Sequence, residues 1–192
     1  MLNSVLICVA LSAATQDIAQ PEIVVTASRQ PETADATLAT VDVLTRADIE
    51  RVQARDALEL LRRIAGVEIA RTGGPGSSTS VFLRGNNSNH TLVLIDGVRV
   101  SSVNTGAYTF EHLPIDLIER IEIVRGPRAA IWGADALGGV IQIFTRRDTG
   151  LATTLRAASK QDFLGSASVG FGDAQGGANL GMQRRTLDGF SA

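Results

Sequence analysis

Arg125-Gly126-Pro127-Arg128-Ala129-Ala130-Ile131-Trp132-Gly133-Ala134-Asp135-Ala136-Leu137-Gly138-Gly139-Val140-Ile141-Gln142-Ile143 sets four glycines and a proline ahead of a run of β-branched residues. Pro127 suits the first turn of a short helix, where its fixed φ is helical and its missing N–H leaves nothing unpaired. Glycines reach positive φ and let two backbones approach closely, so Gly133, Gly138 and Gly139 break the segment into tight turns. Val140 to Thr145 then reads as a strand. The stretch predicts a compact helix–turn–strand passage in a domain of short elements, and it holds no lysine that would make Gly133–Gly139 a phosphate loop.

The same grain extends upstream. Ile121 to Val124 is a strand candidate, and Pro114 opens a helical turn through Ile118. Thr91–Ile95 and Val98–Val100 flank Asp96-Gly97, a strong short-range hairpin signal. Val67–Ala70 and Val81–Leu83 are further strands. Thr45-Arg46-Ala47-Asp48 looks like a helix start, and Asp56 can cap a second helix with Glu59 reaching back. In that helix Leu58, Leu61 and Ile64 form one apolar face as far as Gly66. These signals describe a small α+β domain that ends near Arg147.

Downstream of Gly150 the pattern changes. Phe163, Gly165, Ala167, Val169 and Phe171 alternate with Leu164, Ser166, Ser168, Gly170 and Gly172, and Ala178, Leu180 and Met182 alternate with Asn179, Gly181 and Gln183. Leu151 to Lys160 is a weaker version. Three strands of roughly ten residues, apolar on one face and small or polar on the other, match the strands of transmembrane β-barrels. Three cannot close a barrel, since eight strands need about 80 strand residues. The expectation is a chain that opens a longer, barrel-forming protein. The competing expectation is a soluble meander laid over the α+β core.

Val5 to Leu11 is too short to span a bilayer as a helix, and Ser12, Ala13 and Ala14 follow it as a cleavage site would. Residues 1–14 therefore read as a signal peptide, although Met1 to Ser4 carries no Lys or Arg. Glu22-Ile23-Val24-Val25-Thr26-Ala27-Ser28 lies between Pro21 and Pro31 as an extended segment with strand propensity; its composition suits an ordinary edge strand, and equally a strand that pairs with another protein's sheet edge.

Composition removes several classes of function. Eighteen basic and twenty acidic side chains leave a net charge of −2 over 192 residues, so the composition advertises no cationic surface for nucleic acid. Cys8 is the one cysteine, and His90 and His112 are the two histidines, so a metal centre built on cysteine or histidine is not expected. No G-x-S-x-G elbow occurs, and Gly73-Gly74-Pro75-Gly76 continues into Ser77 and Ser78 without a lysine. His112 beside Glu111 reads as a loop pair. The residues predict no enzyme, no cofactor and no metal.

The 125–143 stretch resembles the closing motif of the plug domain of TonB-dependent outer-membrane receptors. Val81-Phe82-Leu83-Arg84-Gly85, followed by Leu92-Val93-Leu94-Ile95-Asp96-Gly97-Val98-Arg99, resembles that family's earlier plug motifs. Val24-Val25-Thr26-Ala27 stands where the family carries its TonB box. Trp132 and Gln142 replace the family's usual Tyr and Asn. Within the family the likeness is to the cobalamin (vitamin B12) transporters, through Ile23–Ala27, Gly73-Gly74-x-Gly76, Arg84-Gly85-x-Asn87-x-x-His90 and Arg125-Gly126-Pro127-Arg128.

The resemblance implies an α+β plug domain of short strands and helices, followed by the first three antiparallel strands of a transmembrane β-barrel. It divides the chain into a signal peptide (1–14), TonB box and linker (15–33), plug (34–150) and barrel strands (151–192). The implied plug-motif residues are Arg84, Gly85, Asp96, Gly97, Arg125, Gly126, Pro127, Gly133, Gly138 and Gly139. Glu22 to Ser28 would add as a strand to TonB, which brings energy from an inner-membrane complex. Substrate contact falls to Ser78, Ser80, Asn87, Thr105 and Gly106, whose neutral hydroxyl, amide and backbone groups suit a large ligand rich in amides. The implied setting is the outer membrane of a Gram-negative bacterium, with lipid around the complete barrel and cobalamin as cargo. A ferric-siderophore or haem receptor of the same superfamily is the alternative, and a soluble periplasmic binding or signalling domain is the alternative of another class.

Overall fold

The computed structural model describes residues 24–25, 32–33, 40–74, 76–126, 129–147, 150–158, 162–172 and 177–186. The signal peptide and Glu22, Ile23, Thr26, Ala27, Ser28 and Pro127 lie outside the described residues. Val24–Val25 (β1) pairs antiparallel with Glu32–Thr33 (β2), Val24 opposite Thr33 and Val25 opposite Glu32. Val24–Val25 thus has a strand partner within the chain, as an edge strand does.

β3 (Thr40–Leu44) leads into α1 (Arg46–Val52). The Thr45 hydroxyl accepts from the Asp48 N–H, and the Asp48 carboxylate accepts from the Thr45 N–H at 3.0 Å, a reciprocal capping box. The Thr45 hydroxyl hydrogen bond, followed by the Thr45 backbone N–H, holds the Asp48 carboxyl below its ordinary range. In α2 (Ala57–Leu61), Asp56 accepts from the Glu59 N–H at 2.9 Å while the Glu59 carboxylate accepts from the Arg55 N–H. The helix stops at Leu61 and not at Gly66. Bonds from Arg63 N to Leu60 O and from Ile64 N to Leu61 O tighten the last turn, and Gly66 at φ +76° turns the chain into β4 (Val67–Arg71).

Among the described residues β4 pairs only with β5 (Thr79–Leu83), as a separate two-stranded sheet. The main sheet also contains β6 (Thr91–Ile95), β7 (Val98–Arg99), β8 (Ile118–Arg125) and β9 (Gly139–Thr145), in the order β3-β8-β9-β6-β7. β6 and β9 run parallel and the other pairs antiparallel. Asp96 and Gly97, at φ +48° and +83°, make the hairpin turn foreseen between β6 and β7.

β8 is longer than the apolar run suggested, because its first half carries charge. Glu119 is exposed, and Glu122 is fully buried and paired with the Arg120 guanidinium at 3.0 Å. That guanidinium lies 3.7 Å from the centre of the Phe144 ring. One sheet face joins Ile121, Ile123, Ile141 and Ile143 to Leu58, Leu60, Leu61 and Leu83. The other joins Leu92, Leu94, Val124 and Val140 to Ala136 and Trp132. Burying both faces of β8 and β9 is the dominant stabilising term, since each fully buried aliphatic side chain contributes about 1.5–3 kcal/mol.

β10 (Gly150–Ala158), β11 (Asp162–Gly172) and β12 (Gly177–Thr186) form an open antiparallel meander. Leu151, Leu155, Phe163, Val169, Phe171, Leu180 and Met182 all point away from the α+β domain and are exposed. Leu164 is buried on the opposite face, and the Ser166 hydroxyl there donates to Asp116 at 3.3 Å. A soluble meander would turn its apolar face to the core, so the observed arrangement is reversed from that alternative.

Candidate functional site

The glycines of the 125–143 stretch occupy positions that larger residues could not. Gly139, at φ +144°, lies where a Cβ would stand 2.3 Å from the Val124 carbonyl oxygen and 3.1 Å from Leu83 Cδ1. At Gly138 a Cβ would meet Asn86 Cβ at 3.1 Å and the His90 carbonyl at 3.2 Å. Gly138 N donates to His90 O and Gly126 N to Gly138 O, so the stretch closes on the Asn86–His90 turn. Between these contacts sit α3 (Ala129–Trp132) and a 3₁₀ turn at Ala134–Ala136. Gly133, at φ +89°, joins the two.

The two Arg-Gly pairs meet. Arg84 (φ +51°) and Gly85 (φ +73°) turn the chain after β5, with Arg84 N donating to Gly66 O at 2.8 Å. The Arg84 guanidinium donates to the Thr40 hydroxyl and would lie 3.5 Å from a Cβ on Gly126. Arg125 donates to Ala65 O at 2.6 Å and pairs with Asp42 at 2.5 Å. The paired motifs thereby fasten β3 and the α2–β4 turn to the end of β8. Asp96 does comparable work at the opposite end of the sheet, its carboxylate accepting from the Thr145 N–H and hydroxyl at 3.0 and 2.6 Å.

The expected substrate residues fall in two groups. Asn87 caps the 3₁₀ turn Ser88–His90 without a side-chain hydrogen bond to it. Thr105 and Gly106 lie in a loop closed by Ser102 N to Ala107 O and Gly106 N to Ser102 O, with Gly106 packed against Asn89. The structure therefore brings Asn87's turn and the Thr105–Gly106 loop side by side. Ser78 and Ser80 belong to the other end of β5, roughly 10–17 Å away along a strand that rises about 3.3 Å per residue. Val103 is fully exposed at the loop tip, and Tyr108 packs edge-on against buried Phe110 at its base, the ring centroids 4.9 Å apart. Burial, followed by the charge of Glu111, raises the Tyr108 hydroxyl above its usual range.

Sequence reading did not reach the contacts between distant segments. Arg99 donates to Asp135 at 2.7 Å and to Trp132 O at 2.8 Å, tying the β6–β7 hairpin to the closing motif. Leu117 seats against the wall strand β12, where a Cβ on Gly181 would stand 2.7 Å from Leu117 Cδ2. No sequence spacing announces either pair.

Among the described residues no group of three or more His, Cys, Asp or Glu side chains is placed to hold a metal ion. No helix among them is long and apolar enough to cross a membrane, which says nothing of strands.

A family model described as TonB-dependent Receptor Plug Domain matches residues 33–140. The chain belongs to that plug-domain family. It is 39% identical over 180 residues to the vitamin B12 transporter BtuB of Vibrio cholerae, covering 90% of this chain and 29% of that transporter. It thus spans less than a third of that relative's length. Among solved structures, the siderophore receptor PirA of Acinetobacter baumannii is 29% identical, with a TM-score of 0.53 over 77% of this chain and 23% of that one. The ferric yersiniabactin uptake receptor FyuA of Yersinia pestis, 20% identical, shares the fold at a TM-score of 0.61, over 79% of this chain and 25% of its own. The plug domain followed by an open three-stranded sheet is thus a TonB-dependent receptor arrangement, from a family of receptors and transporters.

Proposed function

We propose that this plug and its first wall strands belong to an outer-membrane transporter of a Gram-negative bacterium that takes up a large scarce nutrient, cobalamin, by a TonB-dependent mechanism. The observation that carries the reading is the orientation of β10–β12. Their apolar face looks outward, as lipid requires, while Leu164, Ser166 and Gly181 face the plug. The 39% identity to the vitamin B12 transporter favours cobalamin over ferric siderophores and haem. In this reading residues 1–14 are the signal peptide, 15–33 the TonB box and linker, 34–150 the plug and 151–192 the first strands of the barrel. Glu22 to Ser28 adds as a strand to TonB, the inner-membrane complex supplies energy, and the chain catalyses no reaction and needs no cofactor.

Ser78, Ser80, Asn87, Thr105 and Gly106 hold cargo at the outer face. Asn87 suits that work because its amide is free to pair elsewhere than with its own turn. The full-length receptor, expressed in cells lacking their own cobalamin transporter, is expected to bind labelled cyanocobalamin and to accumulate it only when TonB is present. Uptake of a ferric siderophore or haem in place of cyanocobalamin would move the assignment to that branch. A full-length protein purified in soluble form would refute the membrane reading.

A further inference from the structure

The outward face of β10–β12 is not uniformly apolar. Arg184 is exposed on the same side of β12 as Leu180 and Met182, with which it alternates against Gly181 and Gln183. Among the described residues its guanidinium has no hydrogen-bond or ion-pair partner. It stands opposite Gly165, in the row next to the Phe163–Thr186 pair. Gly165 offers no side chain to cover it, and Leu155 and Phe163 close around that glycine, 3.5 and 3.7 Å from where a Cβ would stand. A cation on a lipid-facing strand is costly at the middle of the bilayer and tolerated near its interfaces, where it reaches the headgroups. Gln183 and Arg185, its chain neighbours, lie beside Gly76, in the Thr72–Ser78 turn that leads into Ser78 and Ser80. The transport reading places those serines at the outer face, so Arg184 stands at the level of the outer leaflet.

Toward the middle of the sheet the same face has a hollow. Ala167 is small among Leu151, Val169, Leu180 and Met182, and these residues line an apolar recess of about 180 Å³. Sites that enclose a small molecule run to about 300–1,000 Å³, so the recess holds a length of chain and not a whole ligand. Met182 borders it and precedes Arg184 by two residues, roughly 7 Å along a strand that rises about 3.3 Å per residue. We infer that Arg184 and the recess form a seat for a phosphorylated lipid of the outer leaflet, its phosphate on the guanidinium and an acyl chain laid past Met182 into the hollow. The inference rests on the membrane reading above. Charge complementarity names the headgroup, since the guanidinium fork matches phosphate oxygens with two parallel N–H···O bonds. A free phosphate ion would leave the recess unfilled, and a bare hydrocarbon would leave the cation unpaired. Such a seat fixes the depth of β12, whose Gly181 receives Leu117 of the plug.

The test uses the full-length receptor in detergent, titrated with phosphatidic acid or with phosphatidylcholine of the same chains, bound lipid being counted by native mass spectrometry. The parent is expected to hold phosphatidic acid the more tightly. Arg184→Gln should weaken phosphatidic acid about tenfold, as loss of charge-assisted hydrogen bonds implies, and abolish the preference. Arg184→Lys keeps the charge and should keep most of the preference. Ala167→Leu fills the recess, so it should weaken both lipids and leave the preference intact. Inorganic phosphate, which brings the charge without the chain, should not displace the lipid. A parent without preference overturns the seat, as does a preference that survives Arg184→Gln, undiminished binding in Ala167→Leu, or displacement by inorganic phosphate.

Cyanocobalamin binding by the same samples is the control for folding. Arg184 and Ala167 are exposed on the side of the sheet away from the plug, so all three variants are expected to bind cyanocobalamin as the parent does. Lost cyanocobalamin binding in Arg184→Gln would mean that the residue acts through the fold, and would overturn the seat. A parent that binds no cyanocobalamin refutes the cobalamin reading alone, because the lipid titration does not depend on the cargo. A full-length protein purified in soluble form refutes the membrane reading and takes this inference with it.

Discussion

Gly139→Ala tests how the closing motif shapes the plug. The new methyl group would lie 2.3 Å from the carbonyl oxygen of Val124 and 3.3 Å from Arg125 Cα, both backbone atoms of β8. Neither can retreat cheaply, because Gly139 pairs with Arg125 and Val140 with Val124 in the β8–β9 ladder. Holding alanine at φ +144° costs about 1–3 kcal/mol, and overpacking adds about 1–3 kcal/mol. The expected loss is about 2–6 kcal/mol, a large part of the roughly 5–15 kcal/mol that holds a domain together. Gly97→Ala is the control. It also has positive φ but nothing within 4 Å of the new Cβ, so it should cost only about 1–2 kcal/mol. Urea denaturation of the chain, followed by the fluorescence of Trp132, its one tryptophan, measures both against the parent. Equal losses for the two variants would refute the steric account, because both place alanine at positive φ and only Gly139→Ala adds a clash with backbone.

Three further outcomes are expected. Val25→Pro removes a backbone donor and fixes φ, so in the full-length receptor energised uptake should vanish while cargo binding and the plug's melting temperature stay unchanged; surviving uptake would exclude Glu22–Ser28 as the coupling segment. Asn87→Ala should change stability by no more than about 0.5 kcal/mol, as surface substitutions do, yet weaken cyanocobalamin binding by about 1 kcal/mol, or fivefold, in titration of the receptor. Asp48→Ala should destabilise the chain by about 1 kcal/mol at neutral pH through loss of the capping box. Because the folded-state pKa of Asp48 is lowered, that contribution is present above the unfolded carboxylate range and is lost as pH falls through the folded value, so parent and variant should converge in strong acid.

The sequence was most legible where a local rule had one solution. Asp96-Gly97 forms the turn its residue types demand, Thr45 and Asp48 cap α1, and the period-two alternation from Phe163 to Phe171 returns as a strand with an exposed apolar face. The limits of β8 were less legible because Glu122 is a buried carboxylate whose partner, Arg120, sits two residues away on the same strand face. Periodicity reads such a pair as solvent-facing. α2 ended early because Leu58 and Leu61 serve a helix while Ile64 serves the turn after it, and all three contribute to one core. Of the candidate site, the residue types could be named but not their grouping. Asn87 and Gly106 share a neighbourhood through Asn89, whereas the length of β5 sets Ser78 apart, and only the sheet order determines that.

The place of β9 bears on when the plug can fold at all. It is the last of the five sheet strands to be synthesised, yet it is the middle one, flanked by β8 on one side and by β6 on the other. Before Gly139–Thr145 emerges, the β3–β8 pair and the β6–β7 hairpin share no ladder, and the Thr91–Gly139 pairing must close a loop of more than forty residues. Such non-local closure slows folding. The sheet therefore cannot lock until nearly the whole plug has been made, and until then the chain presents a β3–β8 pair and a β6–β7 hairpin in place of a finished core.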